Sequence, residues 1–97
     1  MKTLIGKESE LAERQIVEIG HSEVLLLQHE GEWFALAPEC VHEGFPLEHA
    51  VVKQGAIICP DHGWRFSLRT GEELRGEDGV QPVYPVHVEK GQLFITF

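Results

Sequence analysis

The chain reads as an all-β protein, an antiparallel sandwich or barrel of short strands with a subdomain of two loops. Three observations point there. Short apolar runs recur about every 8–12 residues with turn residues between them. Two pairs of such runs flank a glycine turn, and no stretch sustains a helical repeat.

The first pair is Val24-Leu25-Leu26-Leu27-Gln28-His29 and Trp33-Phe34-Ala35-Leu36-Ala37, joined by a Glu-Gly-Glu turn around Gly31, which predicts a hairpin of partly or wholly buried strands. The second pair is Val83 to Val88 and Leu93 to Phe97 about Lys90-Gly91, with clear alternation in its second strand. Pro82 and Pro85 withhold ladder donors, so the strand they interrupt is expected at an edge or with a bulge. Glu8 to Arg14 is the sole candidate helix, short and charged, and reads equally as a turn before Ile16-Val17-Glu18-Ile19.

No repeat, low-complexity run or Ser- or Gly-rich linker divides the chain, which is read as one domain over residues 1–97. A domain of 97 residues buries only about 60–65% of its unfolded surface, so a bound metal group would add useful stability. Hydrophobic residues make up 42% and charged residues 25%, as in an ordinary globular domain. The formal charge of −8 opposes nucleic acid and anionic lipid and favours basic protein surfaces. The amino terminus meets charge before any apolar run of signal length, and no stretch approaches the roughly 20 residues of a membrane span, so the expectation is a cytoplasmic protein.

Two cysteines are too few for a disulfide framework, and each lies beside a histidine, so metal binding explains both better. They lie inside or at the edge of polar, turn-rich segments, Pro38 to Ala50 and Pro60 to Gly63, set between apolar strands. The first reads Cys40-Val41-His42 and the second Cys59-Pro60-Asp61-His62: C-x-H, sixteen residues, then C-x-x-H. Each loop offers one thiolate and one imidazole, and the two can converge if the loops face each other. Gly44, Pro46, Gly55, Pro60 and Gly63 are the residue types needed where tight loops turn backbone N–H groups toward inorganic sulfide.

The runs C-V-H-E-G-F-P-L from Cys40 and C-P-D-H-G-W-R-F from Cys59, followed by Thr70-Gly71, resemble the Rieske family over nearly the whole chain. The resemblance implies a Rieske-like antiparallel fold with cluster-binding loops at about 38–50 and 59–66. It implies a 2Fe-2S cluster with Cys40 and Cys59 on the inner iron and His42 and His62 on the outer, solvent-facing one. Val41 replaces a proline common in the family, at a position that is not a ligand.

Two ferric ions, two sulfides and two thiolates sum to zero charge, whereas four thiolates leave the oxidised cluster doubly negative. Accepting an electron is therefore easier with two histidines, which raises the potential from about −400 mV to between about −150 and +300 mV. High-potential members carry a Ser and a Tyr after the second histidine whose hydroxyls reach sulfur, and an extra loop disulfide; Trp64 and Phe66 stand in those places here, with no spare cysteine. The resemblance thus implies a potential at the low end. Glu39, Glu43, Glu48 and Asp61 are expected to form an acidic rim able to dock a basic partner.

Other readings of the same residues are a tetrahedral zinc site, against which C-x-H is unusually tight, and a Cys40–Cys59 disulfide, which leaves the histidines unexplained. His21, His29, His49 and His87 carry no assigned role. Trp33, Trp64 and Phe66 read as packing residues, the last two able to shield the cluster. The functional expectation is a non-catalytic electron carrier, a ferredoxin between a flavin reductase and a terminal oxygenase. The alternatives are the small subunit of an NAD(P)H nitrite reductase and a zinc-stabilised interaction module.

Overall fold

Three of the hairpins in this chain turn through the same device. Glu30-Gly31, Gln54-Gly55 and Lys90-Gly91 each place two successive residues at positive φ, between 51° and 80°. That geometry matches the right-handed twist of the strands on either side, and glycine takes it without a Cβ clash. The computed structural model describes all residues from Met1 to Phe97.

The strands are β1 (Lys2–Lys7), β2 (Arg14–Ile19), β3 (Ser22–His29), β4 (Glu32–Leu36), β5 (Val51–Lys53), β6 (Ala56–Ile58), β7 (Arg65–Ser67), β8 (Val83–Tyr84), β9 (Val86–Glu89) and β10 (Gln92–Thr96). They form three antiparallel sheets, ordered β1-β10-β9, β2-β3-β4-β8 and β5-β6-β7. The expected all-β architecture is what the chain adopts. Both predicted hairpins are present, as β3-β4 and β9-β10. Pro85 splits the proline-bearing strand: β8 closes the edge of one sheet and β9 the edge of another. The helix candidate reduces to one 3-10 turn, Glu8–Glu10, and the chain is already extended as β2 from Arg14.

Two strand groups lie outside these expectations. Lys2–Lys7 pairs with β10 through a register shift between Leu4 and Gly6, and Val51–Ile58 forms the β5-β6 hairpin. Gly55 therefore belongs to that hairpin turn and not to a cluster loop; its N–H donates to His29 Nε2 at 3.3 Å, which also gives His29 a structural task.

β3 explains the packing. Val24, Leu25, Leu26 and Leu27 are all buried, because this strand has a core on each face. Val24 and Leu26 join Trp33, Ala35, Leu93 and Ile95 on one side. Leu25 and Leu27 join Leu36, Leu47, Ile57, Phe66, Leu68 and, in the same cluster, Cys40 and Cys59 on the other. Burying each such aliphatic or aromatic side chain contributes about 1.5–3 kcal/mol. The second core thus runs without interruption from the central sheet to the two cysteines.

Candidate metal centre

The two cysteine loops are built alike. Cys40 lies beyond β4 and Cys59 directly after β6. The Cys40 N–H donates to the Phe45 carbonyl, and its own carbonyl accepts from Gly44 N–H, both at 2.7 Å. The Cys59 N–H donates to the Trp64 carbonyl at 2.7 Å, and its carbonyl accepts from Gly63 N–H at 3.1 Å. In each loop the closing glycine takes positive φ, 75° at Gly44 and 68° at Gly63. One architecture holds both motifs, and the histidine occupies its second position in one loop and its third in the other. His62 itself stands at φ 69°, a left-handed conformation uncommon for a residue that carries a Cβ.

The thiols are the inner half of the site. Cys40 and Cys59 are 2% and 1% exposed and both free. Burial pushes the Cys59 thiol up to about 11; the Asp61 backbone amide opposes this, while the adjoining Cys40 thiol and the Asp61 carboxylate add to the rise. A thiol so placed is protonated at neutral pH until a metal takes the proton's place.

The imidazoles are the outer half. His42 and His62 meet edge to face, with ring centroids 5.7 Å apart and planes at 74°. His42 is half-buried and stacks on Trp64, and its Nδ1 is buried with no hydrogen-bond partner. The His62 side chain is 61% exposed, with Nε2 3.4 Å from Asp61 and 4.0 Å from Glu43. Trp64 joins the two halves, packing on the core cluster that contains both cysteines and stacking on His42.

The acidic rim is narrower than expected. Glu43 and Asp61 stand beside the histidines, and with His42 they bring donor atoms within 4.8 Å of one another. Glu39 and Glu48 instead line a separate shallow hollow with Ile16 and Glu23. None of the three surface hollows is lined by Cys40, His42, Cys59 or His62. The most apolar, about 360 Å³, lies along β4 and β8 beside Arg69.

Several residues that support the loops had no signal in the sequence. Arg14 Nη1 donates to the carbonyls of Glu48 and Ala50 at 3.1 and 2.6 Å, tying β2 to the end of the first loop. Gln81 and Arg75 hydrogen-bond to the backbone of the first and second loop respectively. Nothing in their spacing marks them, because only the folded chain brings them to their partners.

A buried pair of soft sulfur donors, two imidazoles above it and an unclaimed buried ring nitrogen fit a binuclear iron–sulfur cluster with cysteine on one iron and histidine on the other. Residues 1–85 match the family described as Rieske [2Fe-2S] domain. The chain is 35% identical over 91 residues to human Apoptosis-inducing factor 3 (Homo sapiens), covering 92% of this chain and 15% of that protein. It is 32% identical over 84 residues to the ferredoxin component of the alkene monooxygenase system of Xanthobacter autotrophicus, covering 86% of this chain and 69% of that one. The ferredoxin of carbazole 1,9a-dioxygenase from Nocardioides aromaticivorans IC177 has the same fold, with a TM-score of 0.81 and 21% identity over 96% of each chain. The chain thus spans about 15% of the length of the first of these relatives and about two thirds of the second. Loop architecture, donor chemistry and sequence agree: this chain belongs to the Rieske 2Fe-2S domain family, and the group it carries is a Rieske-type 2Fe-2S cluster.

Proposed function

We propose that residues 1–97 work as one electron-carrying module in which Cys40 and Cys59 ligate one iron of the cluster and His42 and His62 the other. The observation that carries this reading is the division of the site by exposure: both thiols at 2% or less, and the His62 side chain at 61%. When bound, the cluster supplies reversible storage of one electron. The buried thiolates would fix the inner iron in the core, and His62 would present the outer one to a partner's surface. Glu43 and Asp61 beside it would favour a basic partner and hasten encounter at low salt.

The partners that best suit such a module are a flavin reductase as donor and a terminal oxygenase as acceptor, by analogy with the ferredoxin component of the alkene monooxygenase system. The chain itself would carry electrons and catalyse nothing, in the manner of a ferredoxin component of an oxygenase system. Two free, buried thiols suit a reducing compartment such as the cytoplasm. A second reading, a redox module within a larger protein, is favoured by the match to a 15% portion of a longer relative.

Spectroelectrochemical titration of cluster-loaded protein tests the proposal. A reversible one-electron transition that disappears in Cys59→Ser and in His62→Ala, both still folded, is the expected result. A transition that survives either substitution would overturn the ligand assignment.

A further inference from the structure

The segment after β7 touches both cluster loops, and each contact is specific. Gln81 is fully buried, and its whole side-chain amide is spent on the first loop: Oε1 accepts from Val41 N–H at 2.8 Å, and Nε2 donates to the carbonyls of Ala37 at 3.0 Å and Glu39 at 2.7 Å. These bonds straddle Cys40, and Val41 is the residue between the two donor side chains of that loop. Arg75 serves the second loop, its Nη1 donating to the carbonyls of His62 at 2.9 Å and Gly63 at 2.8 Å. Those two residues are the left-handed pair of the second loop, so the guanidinium grips the backbone where it is least able to hold itself. Between them, Gly79 lies against both loops, where a Cβ would stand 3.1 Å from the Trp64 ring and 3.8 Å from Val41 Cγ1.

The segment is anchored independently of the loops. Gln81 N–H donates to the Gly71 carbonyl at 2.8 Å, and Gly71 N–H to that of Ser67 in β7. Glu73 accepts from the N–H groups of Arg65, Arg75 and Glu77, which ties the start of the segment to the strand that leaves the second loop.

We propose that residues 71–81 form a yoke that sets the spacing and mutual angle of the two cluster loops, with Gln81 positioning His42 and Arg75 positioning His62. The yoke deepens the ligand assignment above and rests on it for its effect on the cluster, though not for its effect on the loops. Neither side chain touches a donor atom; each acts through the backbone of the loop that bears one.

The test uses Arg75→Ala, Arg75→Lys and Gln81→Leu, with Arg69→Ala as the control because Arg69 pairs with Glu32 away from the loops. Before cluster loading, amide hydrogen exchange is read at Gly63 and Gly44, whose acceptors are the cysteine carbonyls and not the replaced side chains. Exchange is expected to quicken at Gly63 in Arg75→Ala and at Gly44 in Gln81→Leu, and in neither for the control. After loading, iron release to a chelator is expected to speed up about 10- to 100-fold in Arg75→Ala and Gln81→Leu, as for lost outer partners of metal ligands. Arg75→Lys should recover part of this loss, and the midpoint potential should move in both damaging variants. Gln81 is buried, so should Gln81→Leu fail to fold, the exposed Arg75 pair of variants decides. Exchange, iron release and potential all matching Arg69→Ala would overturn the yoke. Quickened exchange in the variants, with wild-type protein itself taking up no iron, would uphold the yoke and reject the ligand assignment.

Discussion

Trp64 lies flat against His42, ring centroids 4.0 Å apart and planes within 14°. One loop thereby covers the donor of the other, the indole lying over a face of the imidazole whose Nδ1 is buried. A stacked aromatic pair contributes about 0.5–1.5 kcal/mol beyond its burial. Trp64→Leu is therefore expected to shorten the lifetime of the loaded cluster about fivefold, and Trp64→Phe by less than about twofold, since 1.4 kcal/mol corresponds to a factor of ten. Loss of visible absorbance under a chelator measures this, and equal lifetimes for Leu and Phe would show that the stack is idle.

Phe66 is fully buried in the core cluster that contains both cysteines, and it offers no hydroxyl to sulfur. The reduced cluster would then lack a stabilising donor, and the midpoint is expected near the lower end of the range from about −150 to +300 mV. Phe66→Tyr is expected to raise the potential, at a stability cost of about 1–3 kcal/mol if the new hydroxyl finds no partner. Protein-film voltammetry of the two proteins checks both statements. A wild-type midpoint well above zero would contradict the first, and an unmoved midpoint in the variant the second.

Glu73 links acid stability to the yoke. Burial alone would raise its pKa, but hydrogen bonds from the N–H groups of Arg65, Glu77 and Arg75, with the charge of Arg75, outweigh that and lower it. A carboxyl whose folded pKa lies below its unfolded value, about 4.3, stabilises the fold fully above that value; the contribution fades as pH falls through the folded pKa. Glu73→Gln is expected to cost about 1–2 kcal/mol at neutral pH, a figure reduced for the partial exposure of this side chain. The gap from wild type should close in acid. Thermal unfolding at pH 7 and below pH 4 distinguishes this from a cost independent of pH, which would contradict the linkage.

Gly71 and Gly91 have almost the same φ, 81° and 77°, in unlike surroundings. A Cβ at Gly91 meets nothing within 4 Å, whereas one at Gly71 would stand 2.0 Å from the carbonyl oxygen of Gln81. Gly91→Ala is expected to cost about 1–2 kcal/mol, the left-handed backbone penalty alone. Gly71→Ala adds a backbone collision that only a shift of Gln81 can relieve, so it should be the more damaging by at least about 2 kcal/mol. Denaturant titration of the pair measures the difference, and equal midpoints would contradict the close approach.

What the sequence revealed, and what it hid, follows from how far each signal reaches. The β3-β4 and β9-β10 hairpins are local: an apolar run, a two-residue turn and a second run lie within about fifteen residues, and both were legible. β1 was not, because Lys2–Lys7 mixes charged and apolar residues and acquires its strand character only from β10, at the other end of the chain. β5 and β6 have three residues each, too few to show a period. For the same reason Gly55 reads in the sequence as a cluster-loop residue, whereas it turns the β5-β6 hairpin. In the site, Cys40, His42, Cys59 and His62 stood out because rare residue types recur at tight spacing. Gln81 grips a loop some forty residues away, and Arg75 is one polar residue in a polar segment; only the folded chain brings either to its partner.

The most direct test of the ligand assignment is the EPR spectrum of anaerobically prepared, chemically reduced protein, read together with its iron content. The expected result is a rhombic signal with an average g below that of all-cysteine 2Fe-2S clusters, with two irons per chain, lost on His42→Ala or His62→Ala. No signal, with zinc or no metal bound to protein that has never met oxygen, would contradict it.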